Sequence, residues 1–218
     1  MTASTLRERY REQVRLEVKE AALAQLAQAG PAGVSISAIG KQLGVSGPAL
    51  YRYFASRDEL LTELVLDAYR DLAASMAAAD DPGQDPHARL VAIVRAYRAW
   101  ALAQPHRYRL LYGPPLPGYD AHAQRLVDAA QESMNLLAGV VGQLGDGPPP
   151  GVAGPLATQL ADWARRRDLS VSPATALRAI GIWSCVHGIV SLEIGGNFAS
   201  IGVGPDELFE SELAALAL

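Results

Sequence analysis

The residues best placed to do chemistry in this sequence lie between Val34 and Glu59. Arg52 stands between Tyr51 and Tyr53, just after the small residues Gly47, Pro48 and Ala49. A guanidinium can pair with guanine O6 and N7 or rest on a phosphate, and tyrosine hydroxyls suit phosphate oxygens. Ser35 and Ser37 fall where a short helix would begin, so that hydroxyl and backbone amide together suit a phosphate. Arg57 completes this candidate set. Its chemistry is duplex DNA binding, with phosphate contacts that position and sparse contacts that read bases. Covalent catalysis has no comparable support. The sequence contains no Gly-rich phosphate loop, no His-Glu-x-x-His and no nucleophile elbow. His187 has no His, Cys or acid at metal spacing and reads as a core histidine. Cys185 reads as a small hydrophobe. No metal and no cofactor are expected, and a helical enzyme built on His187 or a carboxylate pair is the remote alternative.

Presenting such residues to a DNA groove requires two short helices crossing steeply, the first bracing the second. The spacing predicts them within 35–54. One helix runs from Ser35 to Leu43, Gly44-Val45 makes the turn, and a second helix capped by Ser46 runs to about Phe54. Ile36, Ile39, Leu43, Val45, Leu50 and Phe54 lock the pair. A first helix over 11–29 precedes them, stopped by Gly30-Pro31, with residues 1–10 frayed and polar. Ser56 and Glu59 form a capping box that opens a long helix fading near Asp80.

These residues closely resemble the DNA-binding domain of the tetracycline-repressor (TetR) family. The resemblance rests on Val34 to Phe54, with its Gly44-Val45-Ser46 and Leu50-Tyr51 landmarks and Phe54 in register, followed by Ser56-Arg57-Asp58-Glu59-Leu60-Leu61. Gly40 stands where the family usually has Ala, Ser37 where Arg is common and Tyr53 where His is frequent. The resemblance covers about residues 11–72. It implies a transcriptional regulator bound to an operator in double-stranded DNA.

Beyond that segment only helical periodicity is found. Helices are expected from Asp85-Pro86 to Pro105, over 106–112, over 121–144, over 156–167, from Ser172-Pro173 to about 194, and from Pro205 to the end, which makes about ten helices in all. Gly/Pro-rich links lie at 113–118 and 145–154. Tyr108 to Tyr119 and Trp183 to Gly188 resemble a TetR-family body, which implies a homodimer and often a small-molecule pocket. Tyr97, Trp100, Tyr108, Tyr112, Met134, Leu137, Trp183 and His187 are the candidate pocket residues. Gly181, Cys185, Gly188 and Leu192 form a stripe on which a partner helix can approach closely. A four-helix dimer bundle from 156–167 and 172–194 is the expectation, with packing inside the chain as its alternative.

Net charge is −4, but residues 1–60 carry eight basic against six acidic side chains and the remainder carries −6. A basic amino-terminal end on an acidic body fits a protein that meets phosphates at one end. Arg7, Arg9, Arg11 and Arg15 cluster there, and either form a DNA arm or pair with Glu8, Glu12 and Glu17 on a solvated face. The single cysteine rules out an internal disulfide and fits a reducing cytoplasm. Ala179–Leu192, the longest apolar stretch, reads as a buried helix and not as a membrane span.

The expectation is therefore an all-α chain. A three-helix helix-turn-helix domain over 11–72 joins, by a long helix, a larger helical ligand-binding and dimerisation domain over 73–218. The function expected is a cytoplasmic repressor released from a palindromic operator by a small hydrophobic ligand. An activator or a ligand-independent regulator is the alternative.

Overall fold

The computed structural model describes residues 6–113, 124–144 and 152–217, and every regular element among them is helical. The links at 114–118 and 145–151 and the start of the helix expected at 121 lie outside the described residues. The chain divides into two compact units, Met1–Ala68 with His106–Leu126, and Tyr69–Pro105 with Val127–Leu218.

In the first unit, α1 (Leu6–Ala29) buries Val14, Val18, Ala21, Ala22 and Leu26. It starts earlier than the expected Arg11, because residues 6–13 are exposed and carry no apolar period to announce a helix. Gly30, at φ +66°, ends it. Next come a 3-10 turn (Pro31–Gly33) and α2 (Ile36–Leu43), capped by the Ser35 hydroxyl, which accepts from the Ala38 amide at 3.3 Å. Gly44 adopts φ +66° after α2, the Val45 amide donates to Gly40 O at 2.9 Å, and the Gly44 amide donates to Lys41 O. This is a Schellman closure, and it needs a residue that tolerates the left-handed region. The second helix, α3, is shorter than expected (Gly47–Leu50), and Tyr51–Tyr53 continue it only as turns. Helical amide contacts nevertheless run on to Phe54, whose N–H donates to Leu50 O at 3.1 Å.

Next, α4 (Arg57–Ala79) opens on the Ser56 hydroxyl, which accepts from the Glu59 amide at 3.0 Å. The return half of the capping box differs from expectation. The Glu59 carboxylate accepts from the Ala55 amide at 2.5 Å, one residue before the Ser56 amide. Leu60, Leu61 and Leu64 of α4 enter one core with the buried faces of α1 and α2, Leu50 and Phe54. Leu110 of α6 (Pro105–Tyr112) packs on the same core.

The second unit holds the rest of α4, α5 (Pro86–Ala103), most of α7 (Gln124–Gln143), α8 (Gly154–Arg165), α9 (Pro173–Ile194), α10 (Asn197–Ile201) and α11 (Pro205–Ala217). Asp85 caps α5 through the His87 and Ala88 amides, and Ser172 caps α9 through the Thr175 amide. α8 ends two residues short of Arg167, and Asp168 takes φ +53° just beyond it. The short α10 was not expected. Gly195-Gly196 reads as a stop, but Gly196 at φ +72° serves as the cap of a new turn that buries Phe198. α9 is central, touching α5, α8, α10 and α11. It is long and apolar enough to cross a membrane by length and composition, yet only 33% of that stretch is buried inside the chain. The expectation of a buried helix holds in part, with Ala179, Ile182, Val186, Ile189 and Val190 buried and Gly181, Ser184, Ser191 and Leu192 exposed.

Guanidinium groups tie these helices together. Arg98 on α5 binds Glu193 on α9 at 2.6 and 2.8 Å, reaches Asp206 on α11 and lies 4.7 Å over the Phe209 ring. Arg89 holds Asp80 in a fork at 2.6 and 3.0 Å and also binds Gln143. That fork keeps the Asp80 carboxyl below its ordinary range. Because the folded-state value is depressed, this stabilisation is complete above the unfolded carboxyl's range and is lost as pH falls through the folded value. Asp80→Asn should melt a few degrees below wild type at pH 7. The gap should shrink as pH falls through the depressed Asp80 value and the wild-type carboxylate also takes up its proton, and calorimetry across an acid pH series checks this.

Candidate nucleic-acid interface and body cavity

The helix-turn-helix geometry rests on a close approach. Gly40 is buried on α2, and a Cβ there would lie 2.8 Å from Val45 O and 3.1 Å from Leu50 Cδ1. The absent side chain lets the turn and α3 sit directly on α2. This accounts for Gly at a position where a larger residue would have to push the pair apart.

With α3 so held, Tyr51 is 51% exposed, Arg52 and Pro48 are exposed, and Gly47 and Ala49 are half-buried. Ser37 is exposed on the first turn of α2. The Ser35 hydroxyl is used as the α2 cap, and its amide donates to Gln25 Oε1 at 2.8 Å. Tyr53, expected to face outward, is half-buried and packs on the unit's core. Arg57 has a different task from the one expected. Its Nε donates to Val34 O at 2.9 Å and its Nη2 to Pro31 O at 2.6 Å, which ties the turn before α2 to the start of α4.

Arg15, expected in a DNA arm or on a solvated face paired with Glu8, Glu12 and Glu17, instead braces the recognition element. Its Nη1 donates to Tyr53 O at 2.6 Å, its guanidinium lies 4.5 Å over the Phe54 ring, and Glu63 stands 3.4 Å away. Lys19 joins Glu63 at 3.4 Å and Asp67 at 2.8 Å, and Arg125 also pairs with Glu63. Burial pushes the Glu63 carboxyl up, but the bond from Arg125 and the charges of Lys19 and Arg125 outweigh it and hold the carboxyl below its ordinary range. An arginine directly beside Val14 on the buried side of α1 was the available signal.

In the second unit a small apolar hollow of about 20 Å³, partly open to solvent, is walled by Met76, Val94, Tyr97, Ser133, Met134, Leu137, Ile182, Trp183 and Val186. Tyr97, Met134, Leu137 and Trp183 of the expected pocket residues meet there. Behind this wall, His187 Nδ1 lies 3.3 Å from Tyr97 Oη and its ring stacks on Trp183 at 5.5 Å. Burial pushes the His187 imidazole below its ordinary value, so the neutral ring is favoured. Trp100 is buried instead and donates its indole N–H to Asp71 at 2.8 Å. Tyr108 and Tyr112 belong to the first unit, where their rings meet at 5.0 Å. They take no part in the hollow.

The small-residue stripe divides as well. Gly181 and Leu192 are exposed and Gly188 is half-buried. A Cβ at Gly181 or Gly188 would meet no atom of the chain within 4 Å. Cys185, half-buried, sits 4.0 Å from the Glu212 carboxylate on α11. Burial and that charge push its thiol up.

Residues 19–64 match the family of bacterial regulatory proteins named for TetR, and residues 90–216 match the tetracyclin repressor-like C-terminal domain. An HTH-type transcriptional regulator of Mycobacterium tuberculosis is 34% identical, the match covering 94% of this chain and 92% of that protein. The crystal structure of regulatory protein SCO4313 superposes with a TM-score of 0.82 at 41% identity, covering 97% of this chain and 98% of that one. FadR of Bacillus subtilis, solved with stearoyl-CoA, shares the fold alone, with a TM-score of 0.63 at 14% identity over 93% of this chain and 97% of that one.

Arg15→Met should keep the bulk of the side chain but lose its hydrogen bond to Tyr53 O, costing about 1.5–3 kcal/mol for a charge-assisted contact. Urea unfolding measures that loss. Weaker DNA binding should accompany it, although Arg15 itself is turned into the unit.

Proposed function

The chain belongs to the TetR family of bacterial transcriptional regulators, with a helix-turn-helix DNA-binding domain, and from that premise we propose that it is a homodimeric repressor released from its operator by a small apolar ligand. One observation carries the reading. The helix that supplies Leu60, Leu61 and Leu64 to the helix-turn-helix core continues without a break to Met76 in the wall of the hollow. A ligand that displaces Met76 moves a rigid element whose other end holds the recognition turn. The ligand must bind the released state better than the DNA-bound state, since equal affinity shifts nothing.

The almost wholly apolar lining of the hollow supports an apolar ligand. At its present size it holds about one water-sized group, so a ligand enters only as side chains such as Met76 move. The fatty acyl ligand of FadR is apolar in the same sense.

Dimerisation is supported by α9, an apolar helix that leaves Gly181, Ser184, Ser191 and Leu192 exposed. Gly181 and Gly188 offer open space along it, and Leu156 of α8 and Leu192 are each 46% exposed. A second copy covers these surfaces in a four-helix bundle and sets two recognition helices about one DNA turn apart, roughly 34–36 Å. The regulator then works in the cytoplasm, on a near-palindrome.

At the DNA, Arg52 reads a base or holds a phosphate, Tyr51 holds a phosphate, Ala49 offers its methyl group, and Ser37 with the first amides of α2 holds another phosphate. Fluorescence anisotropy on DNA upstream of the protein's own gene tests this. Wild type should bind, Arg52→Ala should bind about 5–100-fold more weakly if it makes one bidentate base contact, and fatty acyl compounds should release the wild-type complex. Unchanged binding by Arg52→Ala contradicts the contact, and a complex indifferent to every apolar compound tried contradicts the release.

A further inference from the structure

The first two turns of α1 are exposed from Leu6 to Gln13, and the fold places no core against them. Arg7, Arg11 and Arg15 follow at four-residue steps, so they share one face of the helix. Each lies seven residues, about two turns, before Val14, Val18 and Ala22 of the packed face. Where α1 leaves the core, its packing face thus continues as arginine.

This row begins at the recognition element. Arg15, the innermost, donates to Tyr53 O and covers the Phe54 ring, directly beside exposed Tyr51 and Arg52. Arg11 and Arg7 stand about 6 Å and 12 Å farther along the axis. Neither has an ion pair or hydrogen bond within the described chain, whereas Arg15 is committed to Tyr53 and Glu63. Like charges at i,i+4 destabilise a helix by a few tenths of a kcal/mol per pair. The chain therefore carries a mildly unfavourable arrangement that an external polyanion would relieve.

We propose that Arg7 and Arg11 form a phosphate-binding rail that continues the recognition surface onto the DNA backbone flanking each half-site. The proposal rests on the DNA-binding reading above. It adds a second contact region, sequence-independent and strongly salt-dependent, to a recognition turn with few base-reading side chains. Arg9, on the opposite side of the same turns, is the internal control.

The test is the salt dependence of binding to the same upstream DNA, measured by anisotropy between 50 and 200 mM salt. Each phosphate contact contributes about 0.9 to the slope of log K against log salt. Arg7→Ala/Arg11→Ala should lower the slope by about 1.8 for each half-site, so that over that range wild type loses roughly tenfold more affinity per half-site, about 100-fold more for a dimer on both. Arg7→Lys/Arg11→Lys should restore the slope, and Arg9→Ala should leave it near wild type. Circular dichroism and thermal melting of every variant confirm that α1 remains folded. A wild-type slope in Arg7→Ala/Arg11→Ala, or an equal loss in Arg9→Ala, overturns the rail while leaving the regulator intact. Failure of wild type to bind any upstream DNA overturns the functional reading and the rail with it.

Discussion

Everything proposed for this protein depends on one continuous helix. The hydrogen bonds of α4 run from Arg57 to Ala79 with no proline and no glycine to break them. Its first half is fixed by burial of Leu60, Leu61 and Leu64, and its second half buries Leu72, Ala73 and Met76. An element packed at both ends cannot absorb a displacement at one end by bending locally. In the proposed mechanism this continuity couples occupancy of the hollow to the DNA-reading surface.

The ends of that helix are secured differently. At the recognition end the ties are ionic and local, with Arg57 on two carbonyls and Lys19, Arg15 and Arg125 gathered around Glu63. Such bonds have directional geometry, so they set the orientation of the turn at Tyr53 as well as its stability. At the body end the surroundings of Met76 are apolar, and the hollow beside it shows that packing there is incomplete. Methionine adapts to different neighbours at low cost. The rigid end is suited to reading DNA and the adaptable end to sensing a ligand.

Much of the first unit was legible in the sequence because its signals are local. Ser35 before α2, Gly44 after it and Ser56 three residues before Glu59 are backbone requirements written within a few positions. The side chains that position the site were not legible for the opposite reason. Arg57 reaches carbonyls at 31 and 34, and Arg15 reaches a carbonyl at 53. No short-range pattern records which partner a long flexible arginine will find. The same limit separated the aromatic residues of the body. Tyr97 and Trp183 meet at the hollow, Trp100 turns to Asp71, and Tyr108 with Tyr112 packs in the first unit. Helical spacing predicts the face a residue occupies, not the neighbour that the face will meet. For α9 the apolar sequence predicts burial, and the fold buries one stripe of it while leaving Gly181, Ser184, Ser191 and Leu192 exposed.

The most direct test of coupling through α4 is the distance between the two recognition elements of the proposed dimer. Gln42, exposed on α2, can be replaced by a spin-labelled cysteine in a Cys185→Ser background, and the pair distance measured by pulsed electron resonance with DNA and with a releasing ligand. The account predicts one defined distance on DNA and a different one once the ligand frees the DNA. An identical distance distribution in both states, or no pair signal at all, would contradict it.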